Sequence, residues 1–137
     1  MKRDWDFVRD LLTGIEEDKD IFEALPEQPK WGDISEAEFQ DQLAQYHAIE
    51  QRFFGHLELL VDNGYVDGIK LMRSADGQFS YGTFGPRLTM AGHDLLDTMR
   101  SKSIWEKVKS TAKSKGIELT LDSIKAIAAW ALKGLLE

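Results

Sequence analysis

The chain has 137 residues, 42% of them hydrophobic and 30% charged, ordinary values for one folded domain and unlike those of a disordered chain. It contains no cysteine, which excludes disulfides, thiolate catalysis and cysteine-based zinc sites and suits a reducing compartment. The net charge of −7 is unevenly spread: residues 35–67 hold seven acids against the single base Arg52, whereas residues 101–137 hold seven bases against four acids, a polarity that steers partners electrostatically.

The N-terminal MKRDWDFVRD carries charges where a secretory signal needs an apolar run. No stretch approaches the roughly 18 apolar residues of a membrane span. The expected location is the cytoplasm, without membrane association.

Trp5, Val8, Leu12 and Ile15 form one helical stripe, with Phe7 and Leu11 beside it, and predict a first helix over about residues 4–18. Gly14 weakens its last turn. Pro26 and Pro29 mark residues 24–32 as a loop, in which Trp31 and Ile34 could form a short strand. Ser35 and Glu38 have capping-box spacing and start a second helix through Phe39, Leu43 and Tyr46. A third, over residues 48–63, repeats the helical period through Ile49, Phe53, Leu57 and Leu60, and Asn63-Gly64 closes it. Three short helices in this order predict a helix-turn-helix.

Residues 65–73 and 78–84 are extended candidates around Asp76-Gly77, a strong hairpin signal that predicts a wing. Thr89 caps a helix through Met90, Leu95, Leu96 and Met99. Another, over residues 103–114, sets Ile104, Trp105 and Val108 opposite a row of lysines, and Gly116 breaks it. In the last helix, residues 121–136, Ile124, Ile127, Ala128, Ala131, Leu132 and Leu135 make an apolar face too wide to leave in water. The expected architecture is α+β and mainly helical: a winged helix-turn-helix core over residues 1–100, with two additional C-terminal helices over residues 101–137 that pack on the core or on a second subunit.

The chain resembles the domain-of-unknown-function family 2513 of phage and bacterial proteins. The resemblance rests on MKRDWDFVRDLL at the start, HLELLVDNGYVDG at residues 56–68, and LTMAGHDLLDTMR followed by IWEKVK between residues 88 and 109. It implies a winged-helix-like fold and a prophage context, and brings no catalytic residue with it. Gly14 and residues 21–32 depart from the family pattern.

For function, the topology suggests a DNA-associated regulator with its third helix in a major groove and its hairpin on the flanking backbone. His47, Glu50, Gln51 and Arg52 would lead that helix. The nucleic-acid-binding candidates are Arg52 and Gln51 with Lys70, Arg73, Gln78 and Arg87, the last four on or near the wing. Lys102, Lys107, Lys109, Lys113 and Lys115 form a second basic strip. The acidity of residues 35–67 opposes this reading, because DNA affinity draws largely on Lys and Arg neutralising phosphates. The alternative is a protein-interaction module, engaging a host or phage protein or mimicking nucleic-acid charge, with Trp5, Phe7, Trp31, Phe39 and Tyr46 interleaved on an acidic face. An enzyme is not expected: His47, His56 and His93 fall in no metal-ligand or triad motif, and neither cofactor nor metal is implied. His93, in AGHDLL, reads as a structural histidine that hydrogen-bonds near the wing. Asp4, Asp6 and Asp10 read as acids complementing a helix dipole. The wide face of the last helix predicts a homodimer.

Overall fold

The computed structural model describes residues 1–32 and 34–136, with side-chain surroundings through Gly134. Among them the fold is mainly helical α+β, with five α-helices and one two-stranded antiparallel hairpin.

Helix α1, Trp5–Glu16, begins where the Asp4 side chain accepts the Phe7 amide, and it buries Val8, Leu11, Leu12 and Ile15. It stops two residues short of the sequence expectation, because Asp18 takes a left-handed φ of 56°. A single 3-10 turn, Ile21–Ala24, follows. No strand forms at Trp31 or Ile34; Trp31 instead packs edge-on against Phe39 at 5.2 Å.

The largest departure from the sequence reading is α2, Glu36–Asp62, one continuous helix of 27 residues where two were expected. Its ends were legible: Ser35 accepts the Glu38 amide, and Asn63 closes the last turn onto Leu59 and Val61. The expected break near His47 rested on an interruption of the apolar stripe. Residues 44–51 contain neither glycine nor proline, so nothing in the backbone stops the helix there. The stripe is interrupted because the surroundings of the helix change. Residues 36–49 are exposed or half-buried, whereas Phe53, Phe54, Gly55, His56, Leu57 and Leu60 are buried. At about 1.5 Å per residue, the first half is an arm of about 20 Å. The turn of a helix-turn-helix is therefore missing from residues 35–63.

Strands β1, Val66–Arg73, and β2, Phe79–Leu88, pair with Arg73 opposite Phe79 and Val66 opposite Leu88. The connecting turn is tied by Ser74 N–H to the Gln78 carbonyl at 2.9 Å, and Asp76 accepts the Gln78 amide. The second strand runs past Phe84, where sequence reading ended it, because a bulge places residues 84–86 opposite Gly68. Only glycine fits at 68: φ is +81°, and a Cβ would lie 2.3 Å from the Gly85 carbonyl oxygen. Two ring stacks seat the hairpin, Phe79 on Phe54 at 4.9 Å and Tyr81 on Phe22 at 4.0 Å.

Helix α3, Met90–Arg100, is capped by Thr89, whose amide also donates to the Tyr65 carbonyl. Gly92 lets it approach: a Cβ there would fall 2.0 Å from the Tyr65 oxygen. Helix α4, Lys102–Lys115, ends at Gly116 in the left-handed region. Helix α5, Leu121–Leu136, starts from a reciprocal cap in which Thr120 and Ser123 each accept the other's amide. Its Ile124, Ile127, Ala128 and Ala131 join the same core cluster as Trp105, Val108, Leu12, Leu57 and Leu96. That burial, roughly 1.5–3 kcal/mol for each large aliphatic side chain, covers most of the face that had suggested a dimer. Trp130 and Leu132 stay exposed, and Leu135 lies outside the described side chains. Among the described residues, no helix is long and apolar enough to cross a membrane.

Candidate functional site

The six residues expected to meet nucleic acid do not form one basic surface. Arg52 donates to the Asp4 carboxylate at 2.6 Å and stacks over the Phe7 ring at 4.2 Å. Arg73 makes a two-pronged contact with Glu58, both bonds 2.9 Å, and covers the Phe79 ring. Arg87 donates to Asp67 at 2.7 Å. Each arginine thus spends its charge on a carboxylate of the same chain. Lys70 and Gln51 are exposed with no side-chain partner among the described residues, and Gln78 belongs to the hairpin turn through its backbone.

Alternation along the strands sorts the hairpin residues. Ile69, Leu71 and Arg73 share the inner face with Thr83, Tyr81 and Phe79, and Lys70 and Met72 share the outer face with Gly82 and Ser80. The small residues leave a shallow trough of about 310 Å³ between Met72 and the exposed Phe84.

The lysine row of α4 also divides. Lys109 donates to Asp6 at 3.0 Å and lies near Glu106; Lys107 and Lys115 lie over the exposed Trp130 ring; Lys113 faces a different cleft. That cleft, about 810 Å³, lies between the N-terminal segment, Arg52 on α2 and the end of α4.

Its walls are held by a dense set of bonds. Asp4 uses one carboxylate oxygen to cap Phe7 and the other to take Arg52, and its amide donates to His56 Nε2 at 2.8 Å. His56 is fully buried, and its Nδ1 lies 2.7 Å from the Arg52 carbonyl oxygen. Both bonds are satisfied together by the neutral ring with its proton on Nδ1. The indole of Trp5 donates to the Leu119 carbonyl at 2.8 Å, and that of Trp105 to Asp6 at 2.7 Å. The Asp4 carboxyl is held below its ordinary value chiefly by the Arg52 hydrogen bond, and that of Asp6 chiefly by the Trp105 indole, with Lys109 adding to it. Asp4 is thus the helix cap, and Asp6 ties α1 to α4 beyond any interaction with the dipole.

His93 does not reach the hairpin. Its Nδ1 lies 3.4 Å from a Glu16 oxygen on α1, and Arg100 makes a two-pronged contact with the same carboxylate. Gly92 is the residue of AGHDLL that sets α3 against the start of the hairpin. Sequence reasoning missed the cleft and the buried His56. The cleft gathers residues 2–6, Arg52 and residues between 109 and 119, and an N–H donor from Asp4, 52 positions from His56, leaves no local pattern.

Comparison with known proteins identifies a family for the chain. The family model described as "Hypothetical protein (DUF2513)" matches residues 2–118. The chain belongs to this family. It is also similar to an "Uncharacterized protein" of Haemophilus influenzae, 29% identical over 136 residues that cover 99% of each chain. No solved structure matches. The DUF2513 match takes in every residue that lines the cleft except Leu119, and ends before α5.

Proposed function

We propose that this DUF2513 chain is a non-catalytic interaction module that docks a basic protein surface along the arm of α2. The observation that carries this reading is the arm itself: residues 36–49 stand clear of the core and hold Glu36, Glu38 and Asp41 with no base. The 64% exposed Trp31, propped on Phe39, stands beside the arm, and Ile49 is exposed on it. An exposed aromatic rimmed by like charges has the composition of an interface anchor. The pairing of Arg52, Arg73 and Arg87 with carboxylates supports the same reading, since it removes charge a DNA-binding surface would use.

The finer fold that goes with it is a winged-helix frame in which the 3-10 turn Ile21–Ala24 stands where a short second helix would, and the hairpin is the wing. A phage-derived setting accompanies it on the strength of the resemblance, and a cytoplasmic one on the cysteine-free composition. A homodimer through α5 rests on Trp130 and Leu132, and light scattering of wild type and Trp130→Glu at tens of micromolar measures it.

The test places a photo-crosslinking residue at Gln42 on the arm, or at Ser110 on α4 as control, in cells that express the chain. A discrete adduct at position 42, absent at 110 and lost on Glu38→Lys with Asp41→Lys, is the expected result. Equal labelling at both positions, or indifference to the charge reversal, overturns it.

A second reading, DNA association, is favoured by the exposed donors Lys70 and Gln51, which have no side-chain partner among the described residues, and by the lysines around Trp130. A duplex titration at two salt concentrations separates the two, because phosphate contacts give a steep loss of affinity with salt.

A further inference from the structure

We infer that the cleft between the N-terminal segment and the end of α4 binds a small phosphorylated ring compound of mononucleotide size. Charge is the first argument. Five cations line the cleft against three acids, in a molecule whose net charge is −7. Two of the cations, Arg52 and Lys109, are engaged by Asp4 and Asp6. Lys2, Arg3 and Lys113 make no ion pair among the described residues, and they line one cavity. Three cations without an ion pair among the described residues, set around one concavity, suit a multiply charged anion, for which phosphate oxygens provide several acceptors.

Shape and wall chemistry add the ring. A volume of about 810 Å³ lies within the range of small-molecule sites and leaves room for more than a phosphate. Beside the cations stand Trp5, Ala112, Ile117 and Leu119, and Ile117 is 43% exposed, so an apolar wall faces the opening. The Arg3 guanidinium lies 5.0 Å over the Trp5 ring, so one residue borders both the charged and the apolar parts.

The site is also held in shape before any ligand arrives. Asp4 is fixed by three bonds, Trp5 by its bond to Leu119, and Asp6 by Trp105 and Lys109. Gly116, left-handed at the end of α4, turns the chain so that Ile117 and Leu119 line the cleft. Binding therefore orders little beyond the long side chains of Lys2, Arg3 and Lys113, which confines its entropic cost to those three.

The test uses the full chain and the indole N–H signals of its four tryptophans in 1H–15N spectra. Titration with ADP at low salt is expected to shift the Trp5 signal to saturation and leave Trp31 and Trp130 in place. Pyrophosphate, the anion without the ring, and adenosine, the ring without the anion, are each expected to bind about tenfold or more weakly. Lys2→Glu combined with Lys113→Glu is expected to weaken ADP to the same degree. The buried Trp105 signal serves as the control that the variant has folded.

A Trp5 signal unmoved by ADP overturns the site, and so does an unchanged affinity in the folded double variant. Pyrophosphate matching ADP overturns the ring component. A single-stranded oligonucleotide that moves Trp5 at lower concentration than ADP overturns the small-molecule class. None of these outcomes depends on the arm of α2, so the inference and the proposed function fail separately.

Discussion

The two halves of α2 share one hydrogen-bonded backbone and yet are stabilised by different physics. Residues 53–60 bring two phenylalanines, a histidine and two leucines into the core, and Leu57 is fully buried. Residues 36–49 offer only half-buried contacts, so that half stays helical through the Ser35 cap, good helix formers and continuity with the anchored half. A single element is thus both scaffold and projection. Substitutions in the exposed half leave the core contacts of the buried half in place.

The sharpest way to break the comparison is to make the same substitution in each half. Leu57→Ala is expected to cost about 2–5 kcal/mol in urea unfolding, whereas Leu43→Ala, on the arm, should cost under about 1 kcal/mol. Equal losses would mean that the arm packs as tightly as the core. Next comes Ala48→Pro, at an exposed position before the first buried residue. Proline interior to a helix costs roughly 3 kcal/mol, but here the loss should fall on the arm alone. Far-UV circular dichroism should report lost helix while the cooperative melt moves by only a few degrees; collapse of the melt would show that arm and core unfold as one unit. Amide exchange sharpens the same point: residues 37–48 should exchange by local opening, and residues 53–61 only with global unfolding.

Both ends of α2 were legible in the sequence, since Ser35 with Glu38 and Asn63-Gly64 are local signals. Its continuity was not, because a gap in the apolar stripe looks the same whether the helix ends or leaves the core. Asp76-Gly77 marked the hairpin correctly, but the bulge depends on Gly68 meeting the Gly85 backbone, a contact between strands that no short window contains. The candidate arginines were recognisable by type. Their partners were not: Asp4 lies 48 residues from Arg52, and Asp67 lies 20 from Arg87. Those pairings set how much arginine charge is left for solvent or a partner. His93 pairs with Glu16 on α1, and the neighbouring Gly92 makes the close contact with Tyr65, which a reading by residue type does not separate.

The smaller effects concern how each half is tied down. Ser35→Ala removes the cap of the arm and should cost about 1 kcal/mol of local helix stability, visible as faster amide exchange over residues 37–40 with no change in the global melt.

The anchored half is tied by Arg52 to Asp4, and pH tests that link. The Asp4 carboxyl sits below its ordinary 3.8 because Arg52 donates to it, and Asp6 sits below the same value because of Trp105. A folded-state value lower than the unfolded one means that the stabilisation is complete above the unfolded value and is lost as pH falls through the folded value. Both groups therefore weaken the protein only below about pH 4. In Asp4→Asn the fall in melting temperature below pH 4 should become shallower, while the neutral-pH value drops slightly because the carboxylate is gone. Exposure of the pair to solvent keeps that drop small. A melt that declines as steeply in Asp4→Asn as in the wild type would shift the acid sensitivity to other carboxylates, with Glu58 and Glu16 next, since each is held below its ordinary value by an arginine.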